Sequence, residues 1–199
     1  MTANSQRIVV IQPMTEPFDN LPPYADDFFN AIGRAVLMWG KLEQSIDNLL
    51  LTAINIDGPH GERRPMQVAL GRKLNLLKEI YKTCPPLMPL RDRANALTER
   101  IKNHGEDRHL VMHSTWLRFE DGPPPRIVLK NVKHNGGRVR FRDVEPTYSM
   151  LVQIAGTFQG ARAETLSLLT ATNECGGPEW KEVQRQALRG AGRSPPIEL

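Results

Sequence analysis

The chain has 199 residues and 22.5 kDa, of which 40% are hydrophobic and 24% charged. This composition fits one globular domain with appendages and argues against a disordered chain or two full domains. Its 26 Lys+Arg against 22 Asp+Glu leave a net charge of +4, which permits a polyanionic partner only if the excess is localised. Cys84 and Cys175, the two cysteines, stand too far apart for a paired zinc motif or a disulfide framework and fit a reducing, cytoplasmic setting. No run approaches the roughly 20 apolar residues of a membrane span, and the N-terminus lacks the apolar core of a signal peptide.

Residues 1–23 combine the β-like run Arg7-Ile8-Val9-Val10-Ile11 with four prolines and read as an arm leading into the domain. From Tyr24 to about Asn55, apolar residues recur in steps of four and three at Phe28, Ile32, Ala35, Trp39, Leu42, Ile46, Leu49 and Ala53. That spacing predicts a helix of about eight turns, stopped by Asp57-Gly58-Pro59. A second helix is expected between Pro65 and Lys82 and ends at Cys84-Pro85-Pro86. A third starts near Pro89 and carries Leu90, Ala94, Leu97 and Ile101 on one face, whose continuation is His104 and Arg108.

Between Ser114 and Val144 the period switches to two. Thr115–Phe119, Ile127–Val132 and Val139–Phe141 read as strands of a small antiparallel meander, with His134-Asn135-Gly136-Gly137 as a tight hairpin. In this reading Arg138, Arg140 and Arg142 share one face, and Val139 and Phe141 turn toward the helices. Pro146 opens a fourth long helix to about Ala171, and a tail from 173 to 199 holds a short helix around Trp180–Leu188. The expected fold is mainly α: an antiparallel four-helix bundle over 24–172, with a β-meander at about 115–143 inserted before the last long helix.

The chemistry concentrates in Asn103-His104-Gly105-Glu106-Asp107-Arg108-His109-Leu110-Val111-Met112-His113. Arginine offers a rigid fork of donors for a phosphate, and histidine exchanges protons near neutral pH. Together they supply phosphodiester chemistry without a metal. On an ideal helix, residues five apart leave the axis about 140° from each other, so Arg108 and His113 meet at one phosphate only if the helix ends between them or a second chain contributes. His109 and His113 also have two-ligand metal spacing, with His104 or Glu106 as thirds, but zinc lacks a further ligand here, so no metal or other cofactor is expected. Glu43, one position off the first helix's seam, can orient a histidine or bind Arg108; a solvated flank glutamate accounts for it as well. Ser114 and Thr115 have no orienting carboxylate at readable spacing and fit a strand start.

Arg108-His109-Leu110-Val111-Met112-His113 resembles the Arg, polar residue, short spacer, His signature of the HEPN superfamily, the higher eukaryote and prokaryote nucleotide-binding domains. Trp39-Gly40-Lys41-Leu42-Glu43 is similar to the first long helix of several members. The resemblance implies an antiparallel helical bundle, a homodimer that brings two motifs to one cleft, and metal-independent RNA cleavage by 2′-hydroxyl attack in toxin–antitoxin or phage-defence settings. Arg108 then anchors the phosphate, His113 is the general acid/base and His109 a polar auxiliary, with His104 and Glu43 in support. The large meander departs from the compact family pattern.

Six cations and no acid lie between residues 126 and 142: Arg126, Lys130, Lys133, Arg138, Arg140 and Arg142. RNA or DNA backbone is a natural partner for such a hairpin, and a charged edge strand protected from aggregation has the same appearance. Three readings follow: a HEPN-like ribonuclease with RNA, a second copy and an antitoxin or other protein as partners; a non-catalytic nucleic-acid or protein binding module; and a helical scaffold.

Overall fold

The computed structural model describes residues 21–58, 61, 67, 69–120, 122–135, 138–177 and 182. The expected N-terminal strand run and the tail helix around 180–188 lie outside these residues. Among the described residues the main elements follow in the order α1 (Ala25–Asp57), α2 (Leu70–Thr83), a 3-10 turn (Pro85–Leu90), α3 (Arg91–Asn103), α4 (Gly105–His113), β1 (Ser114–Glu120), β2 (Arg126–Asn135), β3 (Arg138–Val144) and α5 (Tyr148–Cys175). The molecule is therefore mainly helical with a small antiparallel sheet.

The apolar seam of α1 is the centre of the core. Phe28, Ala35, Trp39, Leu42, Ile46, Leu49 and Ala53 are all buried, so the four-three spacing reports a real buried stripe, on a helix about 50 Å long. Its main partner is α5. Phe28 meets Tyr148 with ring centroids 6.1 Å apart, and Trp39 meets Phe158 edge-on at 4.9 Å. Moving forward along α1 therefore moves forward along α5, and the two longest helices run parallel.

That direction departs from the expected all-antiparallel arrangement. Parallel neighbours need a long crossover, and the intervening helices and meander provide it. The third helix, α3, runs against α5: Arg93 donates to Ser167 Oγ, whereas Arg100, further along, pairs with Glu164. Periodicity defines which face is buried and carries no information about direction.

Element ends also differ from expectation for local reasons. The second helix starts at Leu70, where Ala69 O accepts from the N–H groups of Arg72 and Lys73. Pro85–Leu90 adds a 3-10 turn before the third helix, which itself breaks at His104, with φ −90° and ψ 11°, so that α4 is a separate nine-residue helix. The fourth long helix starts at Tyr148, two residues after the expected opening at Pro146, and is capped by Thr147, whose Oγ1 accepts from Met150 N at 3.3 Å. Buried hydroxyls are satisfied within the helices: Thr165 donates to Ala161 O at 2.8 Å and Thr172 to Leu168 O at 2.7 Å, while Tyr81 also bonds Thr172.

The sheet has order β1-β2-β3, with a bulge on β1 between Trp116 and Arg118. Phe119 holds it against the helices through edge contacts with Tyr24 (5.7 Å), Phe28 (5.8 Å) and Phe29 (5.7 Å). Ile127 and Leu129 belong to the buried core, so the odd-numbered side of β2 is the helix side. Through the register Lys133↔Arg140 and Asn131↔Arg142, positions 138, 140 and 142 share that side. Phe141, expected to face the helices, is on the other side and is 56% exposed. Uninterrupted alternation along β2 decides the matter.

Candidate active site

α4 positions the motif. Val111 is buried and Leu110 packs against the core, which seats this short helix on α1 and leaves its flanks to polar residues. Arg108 projects toward α1. Its guanidinium carbon lies 5.5 Å from the centre of the Trp39 ring, and its Nη2 is 3.8 Å from Glu43 Oε1. The aromatic face attracts the cation.

The ion pair with Glu43 is too long to be a hydrogen bond. Arg108 Nε is buried with no hydrogen-bond partner, and the side chain is about one-third exposed. The arginine is thus held by stacking and charge while donors remain unsaturated, the condition in which a guanidinium takes an oxyanion. Trp39 Nε1 is likewise buried without a partner, so the Trp39 indole serves as a flat support.

His109 is fixed differently. β2 runs past the start of β1, since Ser114 pairs with Asn131, and Val132 has no β1 partner. His109 fills this place: its Nε2 lies 2.9 Å from Val132 O. A carbonyl only accepts, so Nε2 carries a proton and donates it to Val132 O. The His113 ring lies 5.1 Å from that of His109, inclined by 48°, and is exposed. Asn131 Nδ2 donates to Ser114 Oγ at 3.1 Å, tying the residue after His113 to β2.

The structure thus brings His109 and His113 together and brings Arg108 to Glu43. It does not join the two groups within one chain. Both Arg108 and His113 belong to the unbroken helix α4, so the helix ends after His113 and not between them, and their side chains diverge by about 140°. His104 takes a third environment, with Nδ1 3.3 Å from Asp107 Oδ2 and its ring against Phe158 at 6.4 Å. Among the described residues no three or more His, Cys, Asp or Glu gather as a metal-binding group.

No family model, curated protein or solved structure matches the chain.

The expected cationic hairpin divides in two. Arg126 Nη1 is 3.2 Å from Glu145 Oε2, and Lys130 is the cross-strand partner of Asp143; both belong to the outer side of the sheet, where acids just beyond the cationic window balance them. Lys133, Arg138, Arg140 and Arg142 belong to the helix side. Arg142 is exposed; the side chains of Lys133, Arg138 and Arg140 lie outside the described set, while their register positions are within it.

Sequence reasoning did not find three contributors: Trp39 as the guanidinium support, the Val132 carbonyl that orients His109, and Asp107 beside His104. Asp107 had a signal, its three-residue spacing from His104 on a helix. Trp39 read only as core, and a backbone carbonyl leaves no mark in a sequence.

Proposed function

We propose that this protein is a metal-independent endoribonuclease of the HEPN kind, working as a homodimer of a four-helix HEPN-like domain. The observation that carries the reading is Arg108, stacked on Trp39 with a buried, unpartnered Nε, on the same short helix as an exposed imidazole. In the reaction the RNA 2′-oxygen attacks the adjacent phosphorus while one imidazole accepts its proton. The imidazolium so formed returns the proton, through water, to the departing 5′-oxygen, and the products are a 2′,3′-cyclic phosphate and a 5′-hydroxyl end. Arg108 neutralises the charge that grows on the non-bridging oxygens. His113 is the proton-transfer group and His109 the fixed neighbour that sets its surroundings.

Because α4 separates Arg108 and His113, the proposed cleft takes Arg108 from one copy and His113 from the other. An activity of this type suits a toxin or phage-defence effector in the cytoplasm, held in check by an antitoxin protein. The test is RNA cleavage in EDTA, with the product ends identified. His113→Ala and Arg108→Ala are each expected to lose about 10²–10⁴-fold in rate while keeping the helical circular-dichroism signal. Full cleavage by folded His113→Ala refutes the assignment.

One observation favours a second reading, a non-catalytic binding module: Glu43 already faces Arg108, as in a purely structural ion pair. In that case Glu43→Gln lowers stability and no cleavage is seen from any variant.

A further inference from the structure

The break between α3 and α4 keeps two polar side chains together. Arg108 N donates to His104 O at 3.0 Å, as in a regular helical turn, so residues 104 and 108 stand one above the other on the same side, with Cβ atoms about 5–6 Å apart. Their side chains rest on two rings that are themselves in contact. The His104 ring lies 6.4 Å from Phe158 and the Arg108 guanidinium carbon 5.5 Å from Trp39, while Trp39 and Phe158 meet at 4.9 Å. An imidazole and a guanidinium thus share one aromatic shelf between α1 and α5. Both reach solvent, His104 with 22% of its side chain and Arg108 with 32%.

The His104 ring is also aimed. Its Nδ1 lies 3.3 Å from Asp107 Oδ2; a carboxylate only accepts, so Nδ1 carries a proton and Asp107 sets the orientation of the ring. Nε2 is left for another partner: among the described residues nothing bonds it, and it is not one of the buried polar atoms that lack a bond. The other two imidazoles of the motif are placed elsewhere. His109 Nε2 is committed to Val132 O, and His113 leaves α4 about 140° from Arg108. Within one chain, the imidazole placed to share a phosphate with Arg108 is therefore His104.

We infer that His104 is the proton donor to the leaving group in the proposed ribonuclease reaction, with Asp107 as its positioning residue. The inference rests on that reading for the reaction and on the shelf for the assignment. An in-line displacement puts the attacking and departing oxygens on opposite sides of phosphorus. An imidazole beside the 2′-oxygen is then out of reach of the 5′-oxygen, and the returning proton needs a station on the leaving side. As the O2′–P bond forms, His113 of one copy takes the 2′ proton. As the P–O5′ bond breaks, His104 Nε2 of the other copy, beside Arg108, gives its proton to the 5′-oxygen. Water then carries the proton of the His113 imidazolium to His104 Nε2, which restores both rings.

RNA with sulfur in place of the 5′-bridging oxygen separates the two proton transfers. Its leaving group is a thiolate, from a thiol of pKa about 8.5, and departs without a proton donor. On ordinary RNA in EDTA, His104→Ala is expected to lose about 10²–10⁴-fold in rate; on the 5′-thio RNA it should cleave at close to the rate of the unmodified chain. Asp107→Asn is expected to show a smaller loss with the same rescue. His113→Ala should lose equally on both substrates, because the 2′ proton has to be removed in either case. His104→Gln keeps a polar plane against Phe158 and repeats the test if the alanine variant does not fold. Equal loss on both substrates by a folded His104 variant, or full-rate cleavage of ordinary RNA by one, overturns the assignment and leaves the ribonuclease reading in place. Cleavage of neither substrate by the unmodified chain overturns both.

Discussion

Mixing Arg108→Ala with His113→Ala tests the proposed cleft shared between two copies. Arg108 and His113 are five residues apart on a continuous helix, which turns 5 × 100° = 500°, or about 140° net. Arg108 is spent on the side of Trp39 and Glu43, and His113 emerges beside His109. In a two-fold dimer whose clefts each combine Arg108 of one copy with His113 of the other, a pairing of Arg108→Ala with His113→Ala has one empty cleft and one complete cleft. Random exchange makes half the dimers mixed, so activity should return to about one quarter of the unmodified level, from parents each reduced by about 10²–10⁴-fold. The assay is cleavage of a fluorophore–quencher RNA in EDTA after the two variants are refolded together, with size-exclusion chromatography to count subunits. No recovery in the mixture, from folded dimers, refutes a cleft shared between copies.

Two further outcomes follow from the packing. Tyr81 is fully buried and its pKa is pushed from 10 up to about 12, chiefly by burial, against the opposing hydrogen bond to Thr172. The folded state therefore holds the phenol proton more tightly than the unfolded chain. Its stabilising contribution is whole below pH 10 and is lost between pH 10 and about 12, by about 1.4 kcal/mol per pH unit. The stability difference between the unmodified chain and Tyr81→Phe in denaturant melts should be constant below pH 10, where it carries the lost bond to Thr172, and change only in that alkaline window; equal pH profiles would contradict the burial argument. Phe119→Ala removes the ring that touches Tyr24, Phe28 and Phe29, at a cost of about 1–3 kcal/mol. Amide exchange should then speed up in β1–β3 and leave the α1–α5 core protected; uniform acceleration would mean that the sheet and helices open as one unit.

What could be read beforehand depended on which physical signal each element leaves. The seam from Phe28 to Ala53 and the run from Leu151 to Leu169 show a 3.6-residue period because they bury one stripe, and both are helices as expected. The meander was visible through its period of two and its Asn-Gly-Gly turn. The parallel course of α1 and α5 was hidden, because a buried face has the same spacing whichever way its partner runs. Phe141 was misplaced for a related reason: an isolated three-residue strand has an apolar side, but only pairing with β2, anchored by Ile127 and Leu129, decides which side meets the helices. The balance of Arg126 and Lys130 escaped notice because their partners, Glu145 and Asp143, stand just past the cationic window. At the motif, the identities of Arg108 and His113 were plain. Their separation was computable, but the persistence of α4 through His113 was not, since the switch to strand depends on Asn131 capturing Ser114.

The pairing of Trp39 with Phe158 has a consequence for how the protein is made. The ribosome delivers α1 first and α5 last, so the indole destined to support Arg108 waits without its aromatic neighbour while more than half of the chain is synthesised. At about 5–20 residues per second, α5 alone takes roughly 1–6 s to emerge. Until then α1 presents an apolar stripe to the cell, and the arginine has no rigid platform. A polypeptide interrupted before Tyr148 would keep Arg108 and His113 and lack Phe158 behind Trp39, so the seating of Arg108 depends on a segment made well after it.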